Sequence, residues 1–411
     1  MFIIKSLLDM DLQPYLMAQV AWLHHRDVPV RYGFTNRTRK VPIARYVPEN
    51  ELRFELGHVR NLHFQPDELE YLRTCRHLPQ GLFRPEFLEF LRTLRLPPIE
   101  IERTADDQLR IETEGPWPEA IFWETIILSV VNELYYRSLL EQYSADTIYT
   151  TGRQRLRDKI STLRRNRKIR FTDFGNRRRF SRMWQEEVVE QMLRHVPSQL
   201  AGTSNVRLAH MFDLPPVGTM AHEMFMVQSG IDRARDGDTD DVIRNSHGAT
   251  LDGWYDTYGE PLSLGLTDTY GSEFFFRDFG AERAREWRGL RQDSGDPIAF
   301  GERAIEFYKS VGVDPKTKIV VFSDGLDIET IVRVHERFNG RIKTGFGWGT
   351  NLTNDLGLDP LSIVVKATRT AGFPTVKLSN NLAKAMGPAE EVERFRRIFN
   401  HTGTDSAECR Y

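Results

Sequence analysis

From Leu262 onward, short β-capable runs alternate with amphipathic helical runs, and this alternation constrains the fold more than any other feature of the chain. Leu262–Asp268, Ile319–Asp324, Ile342–Phe346 and Ser362–Lys366 read as short strands. Between them, ERAIEFYKSVG (302–312) and DIETIVRVHERF (327–338) place apolar residues at helical spacing, with Gly312 and Gly340 as stop signals. Such alternation predicts a parallel α/β sheet or barrel covered by helices. Ligands bind such folds at the carboxyl ends of the strands. The unusual motifs of this chain sit just after the predicted strands.

The chain has 411 residues, enough for two domains or one large barrel with an appendage. Residues 1–115 are dense in charge and aromatics, and VPVRYGFTN (28–36) alternates as a strand does. Around Pro116 and Pro118 the character changes. The segment AIFWETIILSVVNELYY (120–136) is apolar but interrupted by Glu124 and Glu133. It is too short for a membrane span of roughly 20 residues, so a buried helix is expected. Residues 137–185 read as helical and lead into IRFTDFGNRRRFS. Hydrophobic residues make up 40% and charged residues 28%, and 56 basic against 58 acidic residues leave a net charge of −2. That balance gives no argument for nucleic acid or membrane partners. Lys5, Asp9 and Asp11 break the apolar core a signal peptide requires, and Cys75 and Cys409 form no disulfide framework or metal spacing. A cytoplasmic location is expected.

Four motifs carry candidate chemistry. RQDSGDP (291–297) brings Asp293 and Asp296 to one predicted strand end, where two carboxylates suit ribose hydroxyls or a hydrated Mg²⁺. The same residues also make an ordinary surface turn. VVFSDGLDI (320–328) runs from a strand through Ser323, Asp324 and Gly325 into a helix, where Asp324 or Asp327 also fits a capping role. TGFGWGTNLTN (344–354) alternates Gly345, Gly347 and Gly349, offering backbone N–H groups to a phosphate or simply forming a glycine-rich turn. GTMAHE (218–223) holds His222, a candidate base or nucleophile, with Glu223 beside it. A fifth feature is a basic run from Arg153 to Arg182, ordinarily a solvated helix face. Its triplet Arg177–Arg178–Arg179 lies instead in a turn after a predicted strand end, where guanidinium groups can fork onto phosphates. No Walker A, HExxH, GxSxG or CxxC pattern occurs.

Nine stretches, in order and spread over nearly the whole chain, resemble nicotinate phosphoribosyltransferases. They are SLLDMD (6–11), FTDFGNRRRFS (171–181), AGTSNVRLA (201–209), VGTMAHE (217–223), LGLTDTYG (264–271), GLRQDSGDP (289–297), VVFSDGLDI (320–328), TGFGWGTNLTND (344–355), and PLSIVVKA (360–367) with VKLSNN (376–381). The resemblance implies a type II phosphoribosyltransferase fold. That is an irregular α/β barrel (137–374) with an N-terminal α/β domain (1–136), to which the C-terminal tail (375–411) returns. It also implies a homodimer whose sites are completed by the partner's N-terminal segment. The implied reaction takes nicotinate and phosphoribosyl pyrophosphate to nicotinate mononucleotide and pyrophosphate, coupled to ATP hydrolysis and assisted by Mg²⁺.

The roles implied by the match fall on individual positions. His222 is the histidine that ATP phosphorylates, acting with Arg291 and Asp293 as the catalytic set. Phe174 is the aromatic face under the base and Arg291 the group above it. Arg177 is a pyrophosphate ligand. Asp268 and Asp293 contact ribose or Mg²⁺, with Asp296 as a second candidate metal ligand. Ser323, Asp324 and Gly325 cradle the ribose, and Gly347, Gly349 and Thr350 the 5′-phosphate. Ser204 stands where nicotinamide-using relatives carry Asp, which favours the acid over the amide. Two positions depart from the pattern. Asn176 replaces the usual Thr before the arginine triplet, and Gln13 replaces the Tyr that covers the base. Gln13 is expected at the start of a helix capped by Asp11, its amide hydrogen-bonding a ring carboxylate where the relatives stack a tyrosine. Another pyridine base, nicotinamide or quinolinate, is the first alternative. A nucleic-acid-binding protein using the arginines of 153–170 is the second.

Overall fold

The structure, a computed structural model, describes residues 2–403. Eleven strands are present among them. They are β1 (Pro29–Asn36), β2 (Ile99–Arg103), β3 (Leu109–Pro116), β4 (Phe171–Asp173), β5 (Leu200–Thr203), β6 (Leu264–Leu266), β7 (Gly289–Gln292), β8 (Ile319–Phe322), β9 (Lys343–Trp348), β10 (Ile363–Thr370) and β11 (Phe373–Pro374). They form two sheets. The first is antiparallel, in the order β11-β10-β1-β3-β2. Val30, Tyr32 and Phe34 alternate along β1 and point into the core.

The second sheet runs β5-β4-β9-β8-β7-β6, and all its neighbours pair in parallel. This is the α/β layer that strand–helix alternation predicts. β5 and β6 are its two ends, with no ladder between them among the described residues. The helices Pro297–Ser310 and Ile328–Phe338 follow β7 and β8, as the spacing predicts.

The structure differs from the sequence expectations in two places. The strand that returns to the N-terminal sheet is β10, expected within the second domain; it pairs antiparallel with β1 from Val30↔Thr370 to Asn36↔Ile363. The tail beyond it sends the helix Ala389–Ile398 back to the second domain, where Arg394 pairs with Asp238 and Asp240. Residues 404–411 of that expected tail lie outside the described residues. The supposed helical stretch 137–185 is also interrupted. A helix ends at Arg165, β4 follows, and Ser181 caps the next helix by accepting from the Trp184 N–H.

The apolar segment around 120–136 becomes the helix Trp123–Leu140, buried along almost its whole length. Its polar side chains are bonded within the protein: Asn132 donates to the Arg179 carbonyl at 2.8 Å, and Glu133 accepts from the Arg182 N–H at 2.8 Å. Among the described residues no helix is long and apolar enough to cross a membrane.

Candidate active site

A cleft of ≈ 200 Å³ opens at the carboxyl ends of the parallel strands. Phe174 follows β4 and Ser204 follows β5. Arg291 and Asp293 mark the end of β7, Ser323 to Gly325 follow β8, and Gly347, Gly349 and Thr350 lie at the end of β9. All of these line the cleft, together with Arg177, His222 and Gln13.

Two expected site residues lie elsewhere. Asp268 is fully buried behind the cleft wall, where it accepts from the Ser294 and Ser379 hydroxyls. Asp296 caps the helix Pro297–Ser310 by accepting from the Ala299 N–H at 2.7 Å. It faces a second cavity between Phe274, Phe300 and Phe399. The Ser-Gly turn carries Asp293 and Asp296 to opposite sides, so the spacing that suggested a carboxylate pair does not produce one. Asp327 takes the bland role of helix cap, accepting from the Thr330 N–H. That leaves Asp324 facing the cleft, ion-paired with Lys384.

His222 is the first residue of the helix His222–Asp236 and is 4% exposed. Its Nδ1 lies 3.0 Å from the Thr269 hydroxyl and its Nε2 3.1 Å from Asp293 Oδ2. Burial, reinforced by Lys377, lowers the imidazole to about 4, so the ring is neutral at physiological pH. Burial opposes the charge of Asp293, but Arg291, His222 and Lys377 outweigh it and hold that carboxyl well below the usual range. Arg291 donates to Asp293 and to the hydroxyls of Ser323 and Thr219. Its guanidinium carbon lies 5.9 Å from the centre of the Phe174 ring. A flat ring between them needs about 7 Å, twice a carbon contact distance, so Arg291 must withdraw by about 1 Å to admit one.

Gly347 has a packing reason that the motif did not reveal. A Cβ there would come within 2.5 Å of the Phe174 ring, so its absence lets that ring lie against β9.

Asp11 and Gln13 of the N-terminal segment line the cleft of their own chain. Asp11 occupies the N-cap position of the helix Leu12–His24 without capping it. Its carboxylate instead accepts from Arg177 at 2.8 Å and from the Ser204 hydroxyl at 2.7 Å. Gln13 follows, 6% exposed, with its amide nitrogen lacking any partner. Tyr15 does not replace the missing ring, being packed edge-on among Phe64, Phe83 and Phe122.

Sequence reasoning missed several charged groups of the cleft, among them Arg37, Glu124, Lys366, Lys377 and Lys384. Glu124 accepts from Lys366 and from Arg177, at 3.2 Å for the latter, while Lys377 and Lys384 come from beyond β11. Burial disfavours the charge on Arg177, but Glu124 and Asp11 more than restore it. Burial likewise lowers Lys377 to about 8 against the pull of Asp268 and Asp293. Glu124 was legible as a charge inside an apolar helix, which a fold retains only when it is paired. The lysines carried no such signal.

The comparisons agree over nearly the whole chain. Residues 169–403 match the profile of the nicotinate phosphoribosyltransferase family, and residues 8–132 that of its N-terminal domain. A nicotinate phosphoribosyltransferase structure from Porphyromonas gingivalis is 31% identical, with a TM-score of 0.86, covering 97% of this chain and 100% of that one. One from Vibrio cholerae is 32% identical, with a TM-score of 0.86 and coverage of 97% and 94%. A putative nicotinate phosphoribosyltransferase from Saccharomyces cerevisiae is 27% identical, with a TM-score of 0.84 and coverage of 98% and 99%. On the sequence profiles, the shared fold and the ordered motifs, this chain belongs to the nicotinate phosphoribosyltransferase family.

Proposed function

We propose that this protein joins nicotinate to the ribose of phosphoribosyl pyrophosphate, using ATP to drive the reaction through His222. The observation that carries the reading is a neutral histidine held at a helix start, inside the cleft that also holds Phe174, Arg291 and a ring of cations. The sugar step breaks the C1–oxygen bond, and pyrophosphate leaves with the electron pair while the pyridine nitrogen bonds to C1. Positive charge develops on the ribose and negative charge on the leaving group. Arg177 and the lysines of the cleft stabilise the latter electrostatically. Phe174 and Arg291 hold the base between them, and Ser323, Asp324 and Gly325 position the ribose. Gly349 and Thr350 receive the 5′-phosphate.

The energy-coupling step follows from the hydrogen bonds of His222. Asp293 is ionised and can only accept, so the ring proton sits on Nε2 and the lone pair on Nδ1. In this structure that lone pair accepts from the Thr269 hydroxyl; once the hydroxyl turns away, Nδ1 attacks the terminal phosphorus of ATP, ADP leaves with the electron pair, and Asp293 steadies the resulting cationic ring. The helix start favours the added negative charge.

The residues fit Mg²⁺ held mainly by substrate phosphates, with Asp293 and Asp324 as nearby carboxylates. Bound there, it would neutralise phosphate charge. Asp296 takes no part in that site.

Gln13 favours the acid as substrate. Its unpartnered amide nitrogen is a donor suited to a ring carboxylate. The carboxylate nearest Ser204, that of Asp11, is already bonded to Arg177. We also propose a cytoplasmic homodimer, an assembly that sedimentation velocity tests directly.

The deciding experiment assays nicotinate, nicotinamide and quinolinate with phosphoribosyl pyrophosphate, with and without ATP, in the wild type and His222→Ala. Only nicotinate should turn over well. The variant should lose phosphoenzyme formation and keep slow ATP-independent transfer at high phosphoribosyl pyrophosphate. Undiminished phosphorylation of the variant, or preference for another base, overturns the reading.

A further inference from the structure

Glu223 directly follows His222 but faces away from the cleft. It is 1% exposed, and its Oε1 accepts from the Tyr32 hydroxyl at 2.6 Å and from the Trp117 indole N–H at 2.8 Å. Tyr32 lies on β1 and Trp117 opens the short helix Trp117–Ala120, so both donors belong to the N-terminal part of the chain. Both are fully buried. The second carboxyl oxygen, Oε2, has no partner.

A carboxyl group with one oxygen unbonded is a costly occupant of a buried position. Burial and the neighbouring Glu124 push the Glu223 carboxyl up to about 7. What it does provide is a double acceptor one residue after His222. Successive helical residues point about 100° apart, so fixing the direction of one fixes that of its neighbour. The N-cap residue Ala221 offers no side-chain bond to hold this turn. Asp293 in the cleft and the buried Thr269 hold the imidazole, and Glu223 holds the backbone beneath it through Tyr32 and Trp117.

We propose that Glu223 is a positioning residue for His222, pinning the first turn of the helix His222–Asp236 to Tyr32 and Trp117 so that the imidazole stays in line for phosphoryl transfer. The inference rests on the reading of His222 as the phosphoryl acceptor. The sugar step needs no such alignment of His222, so the two half-reactions respond differently when the tie is cut.

The test compares phosphoenzyme formation from labelled ATP with ATP-independent base transfer at saturating phosphoribosyl pyrophosphate. The variants are Glu223→Ala, Glu223→Gln and the double change Tyr32→Phe with Trp117→Phe. Misplacement of a reacting group is costly, so Glu223→Ala and the double variant should slow phosphorylation on the order of 10–100-fold and base transfer by less than about twofold. Glu223→Gln keeps the acceptor oxygen and should phosphorylate within about threefold of the wild type. Parallel loss of both half-reactions, normal phosphorylation in the double variant, or a Glu223→Gln protein as impaired as Glu223→Ala each overturns the proposal. A wild type that forms no phosphohistidine would instead refute the reading of His222 itself, and the proposal with it.

Discussion

Two arginine-rich regions of this chain have similar composition and opposite environments. On the helix Ala145–Arg165, Arg153 pairs with Glu187 at 2.6 Å, with side chains 50% and 29% exposed. Arg155 and Lys159 both reach Asp355, and Arg164 turns to His195. These pairs tie neighbouring surface elements together. In the turn after β4, Arg179 is fully buried and grips Asp9 through two bonds of 2.7 and 2.9 Å. Arg177, two residues earlier, holds Asp11 and Glu124 at the edge of the cleft. The number of arginines is therefore uninformative; how far the partner is removed from water decides what each one does.

The sharpest way to break this contrast is Arg179→Met. It leaves Asp9 buried with its main counter-charge gone, a change that typically costs about 3–5 kcal/mol. Denaturant unfolding should show a loss of that order. The pair also sets an acid limit. Burial raises the Asp9 carboxyl, but Arg179 and Asn205 outweigh it and the net shift is downward. A carboxyl lowered by folding contributes its full stability above its unfolded value of about 3.9, and that contribution is lost as pH falls through the lower folded value. Wild type should thus keep the contribution at pH 5 and lose it progressively below pH 4. A variant as stable as wild type at pH 7 would show that the pair contributes nothing.

Arg177→Gln should separate function from stability within the same turn. Arg177 is 27% exposed at the cleft, and without it Glu124 keeps Lys366 while Asp11 keeps the Ser204 hydroxyl. Losing one preorganised charge at a leaving group costs on the order of 10²-fold in rate. kcat/KM for phosphoribosyl pyrophosphate should fall by about that factor, with a much smaller loss of stability than Arg179→Met. A stability loss equal to that of Arg179→Met, with unchanged kinetics, would make Arg177 a structural residue and contradict its assigned role.

Much of this was legible in the sequence where local patterns decide structure. The strands β8 and β9 and the helices after β7 and β8 follow from apolar periodicity and glycine stops. Phe174, Arg291, Asp293 and Ser323 meet because each stands at a strand end, as the motif positions implied. What pattern could not supply was the partner of each charge. Asp9 and Arg179 are 170 positions apart, and Asp11 and Arg177 are 166. Their pairing depends on how the N-terminal segment packs, which no local spacing encodes. The same holds for β10, whose apolar run fits either sheet until β1 claims it. Asn176, the departure from the usual Thr, takes part in the same packing. Its side-chain oxygen accepts from Arg179 at 2.9 Å and from Asn205 at 3.0 Å, joining the network that fixes the turn.

The smallest expected effect lies on the surface helix and is the necessary counterpart of the largest. Arg153 meets Glu187 through two bonds of 2.6 and 3.0 Å, a geometry as good as that of Arg179 with Asp9. If bond geometry alone set the energy, the two pairs would be worth the same. The difference lies in the alternatives open to each charge. Arg153 and Glu187 separated from one another are still hydrated, whereas Asp9 deprived of Arg179 is not. A double-mutant cycle with Arg153→Ala and Glu187→Ala should therefore give a coupling of only about 0.2–1 kcal/mol. That coupling should shrink further as salt is raised, because exposed charges are screened over roughly 10 Å at 0.1 M. Activity should not change, since neither residue lines the cleft. A coupling of several kcal/mol that persists at high salt would mean that exposure does not separate the two regions, and the contrast drawn between them would fail.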